Sequence, residues 1–173
     1  MLSSIHTIGH STRSLEEFLD LLRINAIRRL VDIRRYPGSR RFPHFGSAAL
    51  DGSLSGAGIA YEHYADLGGR RRPSEDSPNR GWRNDAFRAY ADYMATPEFR
   101  SAVDRLLAGE SSTVIMCAEA VPWRCHRNLI SDDLVRRNIA VQHILAPTTV
   151  SDHRLNPMAR VEGDHLIYPA DEP

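Results

Sequence analysis

Val114-Ile115-Met116-Cys117-Ala118-Glu119-Ala120-Val121-Pro122-Trp123-Arg124-Cys125-His126-Arg127 decides the fold. An apolar run stops at a loop that contains Pro122, and both cysteines of the chain stand at the edges of that loop. The segment reads as strand, loop and helix, which puts its groups at one end of a sheet. The eleven residues from Cys117 to Arg127 offer two thiols, a carboxylate, an imidazole and two guanidinium groups. Those groups carry nucleophilic, acid–base and anion-binding chemistry.

Working outward, Ile5 to Ile8 reads as a short buried strand that stops at Gly9-His10-Ser11-Thr12. Ser14 and Glu17 have capping-box spacing, and Leu15, Phe18, Leu19 and Leu22 follow at helical intervals. Leu30-Val31-Asp32-Ile33-Arg34 is the second strand, and Arg35 to Phe45, with two prolines, a glycine and three arginines, is a loop. Ser47 to Ala57 is ambiguous, since Ala48, Ala49 and Leu50 favour a helix and Gly52 and Gly56 oppose it. Ile59 to Tyr64 reads as a third strand, followed by a polar loop from Gly68 to Arg83 with arginines at 70–72. Phe87, Tyr90, Ala91 and Met94 share a helical face; Thr96 and Pro97 end that helix and open the next, which Gly109 terminates. The helix after the cysteine loop runs from Cys125 to Arg137 with Asn138 as its cap, and Ala140 to Leu145 is a further strand. Beyond Thr148 the periodicity is weak, with a marginal strand at His165 to Tyr168.

Alternating strands and helices imply an α/β fold of three layers, a mostly parallel sheet with helices on both faces. Residues 1–148 read as the domain and 149–173 as a C-terminal tail packed on it or extending from it. In such sheets the loops after the strand C-termini form the binding crevice. Four such loops, Gly9–Thr12, Asp32–Phe45, Tyr64–Arg72 and Cys117–Arg127, hold most of the chemically versatile residues.

A chain of 173 residues can bury a core without disulfides or metals. Its zero net charge argues against a generally basic nucleic-acid binder. All 22 basic residues are arginine. Schiff-base and phosphate-loop lysine chemistry are therefore excluded, and an anionic ligand has to be held by Arg, His or backbone N–H groups. No apolar run approaches the ~20 residues of a membrane helix, so no membrane partner is expected. Met1 to His6 has no basic region ahead of an apolar stretch, so a secretory leader is not expected, and the thiols are expected to be reduced in the cytoplasm.

Cys117 closes a strand, where a helix N-terminus and arginines would activate its thiol. Glu119 follows by two residues and is a candidate base or helix cap. Arg124, Cys125, His126 and Arg127 surround a helix start, an arrangement suited to an anion. His10 and Ser11 follow the first strand. Asp32 is polar inside an apolar strand and needs a partner, for which Arg34 is on the same face. Arg40, Arg41 and His44 lie among Phe42 and Phe45, a mixture of charge and rings that binds nucleotides or simply pins a loop.

Three motif types come close. Cys117-Ala118-Glu119 with Pro122 and Cys125 lacks the third ligand and spacing of the zinc deaminases. Six residues between Cys117 and Arg124, without glycine, differ from the five of the tyrosine phosphatases. Leu30 to Arg34 with Cys117 looks like a rhodanese, but the loop is not a glycine-rich nest. Cys117, Cys125 and His126 with His10 or His44 offer zinc-ligand chemistry in no strong zinc spacing, so no metal is expected, and the sequence names no cofactor.

Thr7-Ile8-Gly9-His10-Ser11-Thr12, Val31 to Arg34, Pro37, Ser39-Arg40, Phe42, Tyr61, Leu67-Gly68-Gly69, Cys117-Ala118-Glu119 and Cys125-His126-Arg127 resemble the domain-of-unknown-function family numbered 488. The resemblance covers residues 5 to 146. It implies an α/β fold and a shared site on the same four loops, with no settled reaction.

The expectation is an enzyme whose crevice binds a phosphate-bearing ligand, a nucleotide or nucleic acid. Arg34, Arg40, Arg124 and Arg127 would hold the phosphate, with Ser11, His44 and Cys125 lining the site. Cys117, Glu119 and His126 would react, oriented by His10 and Asp32. The alternatives are thiol-based sulfur transfer or redox chemistry at Cys117 with Cys125 resolving, and a non-enzymatic ligand-binding module.

Overall fold

A strand covered on both faces needs an apolar side chain at nearly every position, and Thr113–Cys117 meets that need with all five residues buried. In the computed structural model, which describes residues 1–171, it is one strand of an alternating series. The order is β1 (Ser4–Gly9), α1 (Leu15–Ile24), β2 (Arg29–Asp32), α2 (Ser47–Gly56), β3 (Ala60–His63), α3 (Asp85–Tyr93), α4 (Pro97–Leu107), β4 (Thr113–Cys117), α5 (Arg127–Arg136), β5 (Ala140–Ala146), β6 (Thr149–Asp152), β7 (Arg160–Glu162) and β8 (His165–Ile167).

Six strands form one sheet in the order β3-β2-β4-β1-β5-β6, parallel except for β6, and β7 and β8 pair as a separate hairpin. Helices cover both faces, so the three-layer α/β architecture read from the sequence is the one observed. Side-chain alternation along the strands divides the core. Val114 and Met116 face Phe18 and Leu22 of α1 and Leu50 and Leu54 of α2. Ile115 and Cys117 face the layer of α3, α4 and α5, with Tyr90, Phe99, Leu129 and Leu134. Each fully buried Leu, Ile or Phe contributes about 1.5–3 kcal/mol through the water it excludes.

The capping box at Ser14 and Glu17 forms, and Thr96 accepts from the Phe99 N–H ahead of Pro97. Ser47 to Gly56 resolves as a helix because Leu50 and Leu54, one turn apart, are both fully buried, which outweighs two glycines. Helix α5 begins at Arg127, two residues later than its apolar pattern suggests, and Asn138 takes the left-handed conformation just beyond its end.

The C-terminal segment has more structure than its periodicity shows. β6 adds an antiparallel edge to β5, and Gly163 lies in the left-handed turn between β7 and β8. Tyr168 is fully buried and donates to Asp132 Oδ2 at 2.7 Å. Asp132, also fully buried, accepts in addition from His153 Nε2 at 2.7 Å and the Asn156 N–H at 3.1 Å. The chain of contacts continues from His153 Nδ1 to His143 Nε2 at 2.9 Å and from His143 Nδ1 to Thr7 Oγ1 at 2.6 Å. Residues 172–173 of the tail lie outside the described residues. No helix among the described residues is long and apolar enough to cross a membrane.

Candidate functional site

Strand order places β2, β4 and β1 side by side, with Gly9 in register with Cys117 and Asp32 with Met116. The pairing continues past the strands, since His10 and Ser11 donate backbone N–H groups to Cys117 and Ala118 at 2.9 and 3.0 Å. A crevice of about 710 Å³ opens over these C-terminal ends, with α3 as one wall. This is where ligands bind in open α/β sheets. Gly9 allows the strands to close up here: a Cβ on it would lie 1.5 Å from the Glu119 carbonyl oxygen and 3.0 Å from Arg127 Nη1.

Cys117 and Cys125 are free thiols that line the crevice floor. Cys117 Sγ accepts from Arg127 Nη1 at 3.4 Å and lies 3.7 Å from the Glu119 carbonyl. Arg127 is completely buried; its Nη2 donates to the Ala120 carbonyl at 3.1 Å, its Nε has no partner, and no carboxylate pairs with it among the described residues. Burial pushes the Cys117 thiol up, but a hydrogen bond from Cys125 and the Arg127 charge outweigh it and hold Cys117 below the ordinary thiol value. The same hydrogen bond, together with burial, pushes Cys125 well up. Cys125 Sγ also accepts the Arg127 backbone N–H at 3.4 Å, so the helix start is occupied by sulfur. His126 packs against Tyr90, with Nε2 3.3 Å from the Ile33 carbonyl and Nδ1 3.6 Å from Cys125 Sγ. Burial lowers its pKa to about 4 against the opposing Ile33 and Leu67 carbonyls, so the ring is neutral.

Across the sheet edge stands a second cluster. Asp32 is fully buried and takes both forks of Arg34, Nε at 2.9 Å and Nη2 at 2.7 Å, together with the Arg34 backbone N–H and the Tyr61 hydroxyl at 2.6 Å. Burial and the bond to Asp32 push the Tyr61 pKa up. Ser11 adopts a left-handed backbone, φ 50°, which brings its carbonyl within 2.9 Å of His10 Nδ1. His10 therefore carries its hydrogen on Nδ1, stacks on Phe45, and turns Nε2 toward Arg34 Nη1 at 3.5 Å. Burial holds His10 below the ordinary imidazole value, and the Arg34 charge adds to this against the opposing bond to Ser11.

Of the residues read from the sequence, His10, Ser11, Arg34, Cys117, Glu119, Arg124, Cys125 and His126 line this one crevice. Asp32 lies behind Arg34 as its anchor. Arg127 lies beneath the floor rather than in the wall, because α5 starts at that residue and turns its side chain inward. Arg40 is not in the lining, and its neighbour Arg41 is. His44 is turned away, with Nε2 on the Arg13 carbonyl at 3.0 Å and its ring against Phe45. Arg35, Arg70, Tyr36 and Phe87 also line the crevice, and the sequence reading assigns none of them to the site; for Arg70 the signal is the arginine run 70–72. Gly68 admits the Arg35 backbone, which a Cβ would meet at 2.7 Å. Among the described residues no group of three His, Cys, Asp or Glu side chains is arranged to hold a metal ion.

The family model described as Domain of unknown function DUF488 matches residues 14–134. The chain belongs to this family. The matched span holds Arg34, Cys117, Cys125 and Arg127, and Thr7–Thr12 precede it. No curated protein and no solved structure matches the chain.

Proposed function

We propose that the crevice is the active site of a cysteine-dependent enzyme whose substrate bears a phosphate group, as a nucleotide or nucleic acid. One observation carries the reading. Arg127 is fully buried without a carboxylate partner, and its guanidinium is set against Cys117 at the floor of an arginine-walled cleft. A buried cation is costly without an anion, and the Cys117 sulfur, held below the ordinary thiol value, is the group within reach that can supply one. A thiolate is also the reactive form of cysteine. Arg41 and Arg124 line the mouth without a carboxylate partner among the described residues, which suits a phosphate. His10 Nε2 offers a lone pair to a proton, and the exposed Glu119 carboxylate offers another acceptor. Free thiols fit a reducing compartment, and the cytoplasm is the location that accords with this reading.

The hydrogen-bonded thiol pair, one lowered and one raised, favours a second reading in which Cys125 resolves an adduct on Cys117 in sulfur-transfer or redox chemistry. Calorimetric titration with inorganic phosphate and nucleoside monophosphates tests the first. The double variant Arg41→Ala with Arg124→Ala is expected to weaken binding about tenfold or more. Unchanged affinity would overturn the phosphate reading.

A further inference from the structure

We infer that the ligand of this crevice is an unpaired stretch of nucleic acid that continues out of the cleft over Arg35, Arg70, Arg71 and Arg72. The inference rests on the phosphate-bearing reading above and narrows its substrate class. A second concavity, about 530 Å³, is lined by those four arginines with Tyr93 and Asp92. Arg35 and Arg70 line both concavities, so the two adjoin.

Charge is distributed unevenly along this path. Several arginines elsewhere are matched to carboxylates, as in Arg23 with Asp20, Arg100 with Asp164 and Arg136 with Asp133. None of the four track arginines makes an ion pair among the described residues. The carboxylate in the second concavity, Asp92, is taken by Ser74, Ser77 and Asn79. A chain of zero net charge thus presents a row of free cations in one groove.

The row is held in place by the fold. Arg35 Nη1 donates to the Arg70 carbonyl at 2.8 Å, and Arg71 Nε to the Gly68 carbonyl at 3.1 Å. Arg71 lies flat on Tyr93, 3.2 Å from the ring centre. Arg70 adopts a left-handed backbone, φ 60°, and Arg35 and Arg70 both lie within 6 Å of the Tyr36 ring. Tyr36 remains 63 % exposed, and Trp123, beside Arg124, 61 %. Guanidinium groups set around the open Tyr36 ring match a strand whose phosphates are neutralised while a base stacks. Lipid headgroups have no flat ring to use this face. A paired duplex has its base faces covered, and Cys117, 2 % exposed at the cleft floor, can be reached only by a nucleotide out of the stack.

Fluorescence anisotropy across a salt series tests the inference, with a labelled single-stranded oligonucleotide, the same sequence as a duplex, and a mononucleotide competitor. The single strand is expected to bind at least tenfold tighter than the mononucleotide or the duplex. Its log affinity should fall with log salt by about 0.7 for each phosphate contacted, near 3 for four contacts. Arg71→Ala with Arg72→Ala should lower that slope by about 1.4 and weaken the single strand while leaving the mononucleotide unchanged. Arg72→Glu, at an exposed side chain without a hydrogen bond among the described residues, should weaken the strand with the fold intact. Equal binding of mononucleotide and strand, equal binding of duplex, or no effect of these variants would overturn the inference and leave the phosphate reading standing. No binding of any phosphate-bearing probe would remove both.

Discussion

Arg127 Nη1 lies 3.4 Å from Cys117 Sγ, and neither residue exposes more than 2 % of its surface. A cation and a sulfur shut in together set the protonation state of the sulfur. Arg127→Met keeps most of the volume and removes the charge. Its expected effect is a rise in the Cys117 pKa of about one unit or more, seen as a roughly tenfold slower alkylation at neutral pH. In the parent protein, mass spectrometry should find Cys117 labelled before Cys125. Equal labelling of the two, unaffected by Arg127→Met, would sink the idea of an activated thiol.

The Asp32–Arg34 pair stands on a different balance. Asp32 has four donors and no access to water. Asp32→Asn leaves the Arg34 charge without its anion, and breaking such a pair costs about 3–5 kcal/mol. Urea denaturation should show the midpoint falling accordingly. A midpoint within error of the parent would mean that Arg34 finds another anchor.

Two glycines make a controlled comparison. Gly9→Ala forces a methyl group into the Glu119 carbonyl, so β1 and the cysteine loop must separate. Thermal unfolding should drop by many degrees, and thiol reactivity should change with it. Gly52, inside α2, has nothing within 4 Å of its Cβ position. Gly52→Ala should stabilise the protein by about 0.5–1 kcal/mol through the helix alone. Equal effects at the two sites would mean that the close approach at Gly9 does not exist.

Buried neutral histidines give the stability a pH dependence. Burial lowers His143 to about 3, with His153 and Arg127 adding, and His126 to about 4. The unfolded chain takes up these protons near pH 6.5, before the folded one does. Stability from these two groups is therefore full above about pH 6.5 and is lost as pH falls toward 4 and then 3. Denaturation at successive pH values should show that decline, and His143→Gln should flatten its lower part. A stability that stays level from pH 7 to 4 would contradict the burial of these rings in neutral form.

Legibility in the sequence followed burial. β4 and β1 are apolar because the sheet interior demands it, and the capping residues of α1 and α4 act through their own backbones. β6 and β7 went unread because all their residues are exposed; β6 is held by backbone pairing to β5, which leaves no apolar pattern. At the site, strand ends are legible and loop rotations are not. Asp32 and Arg34 could be matched from strand alternation, whereas the choice between Arg40 and Arg41 depends on a turn with no periodicity. The meeting of Arg35 with Arg70 joins two loops whose proximity only the sheet order creates.

The clasp around Asp132 bears on how much chain the fold needs. The stretch matched by the family model ends at residue 134 and includes this carboxylate, but Tyr168, His153 and Asn156, which satisfy it, all come later. β1 and β5, neighbours in the middle of the sheet, also fall outside that span. Residues 14–134 alone would leave this carboxylate without those donors and β4 with an open edge. The smallest autonomous piece is therefore larger than the matched one, and a protease probing the native protein should spare the link between α5 and Tyr168.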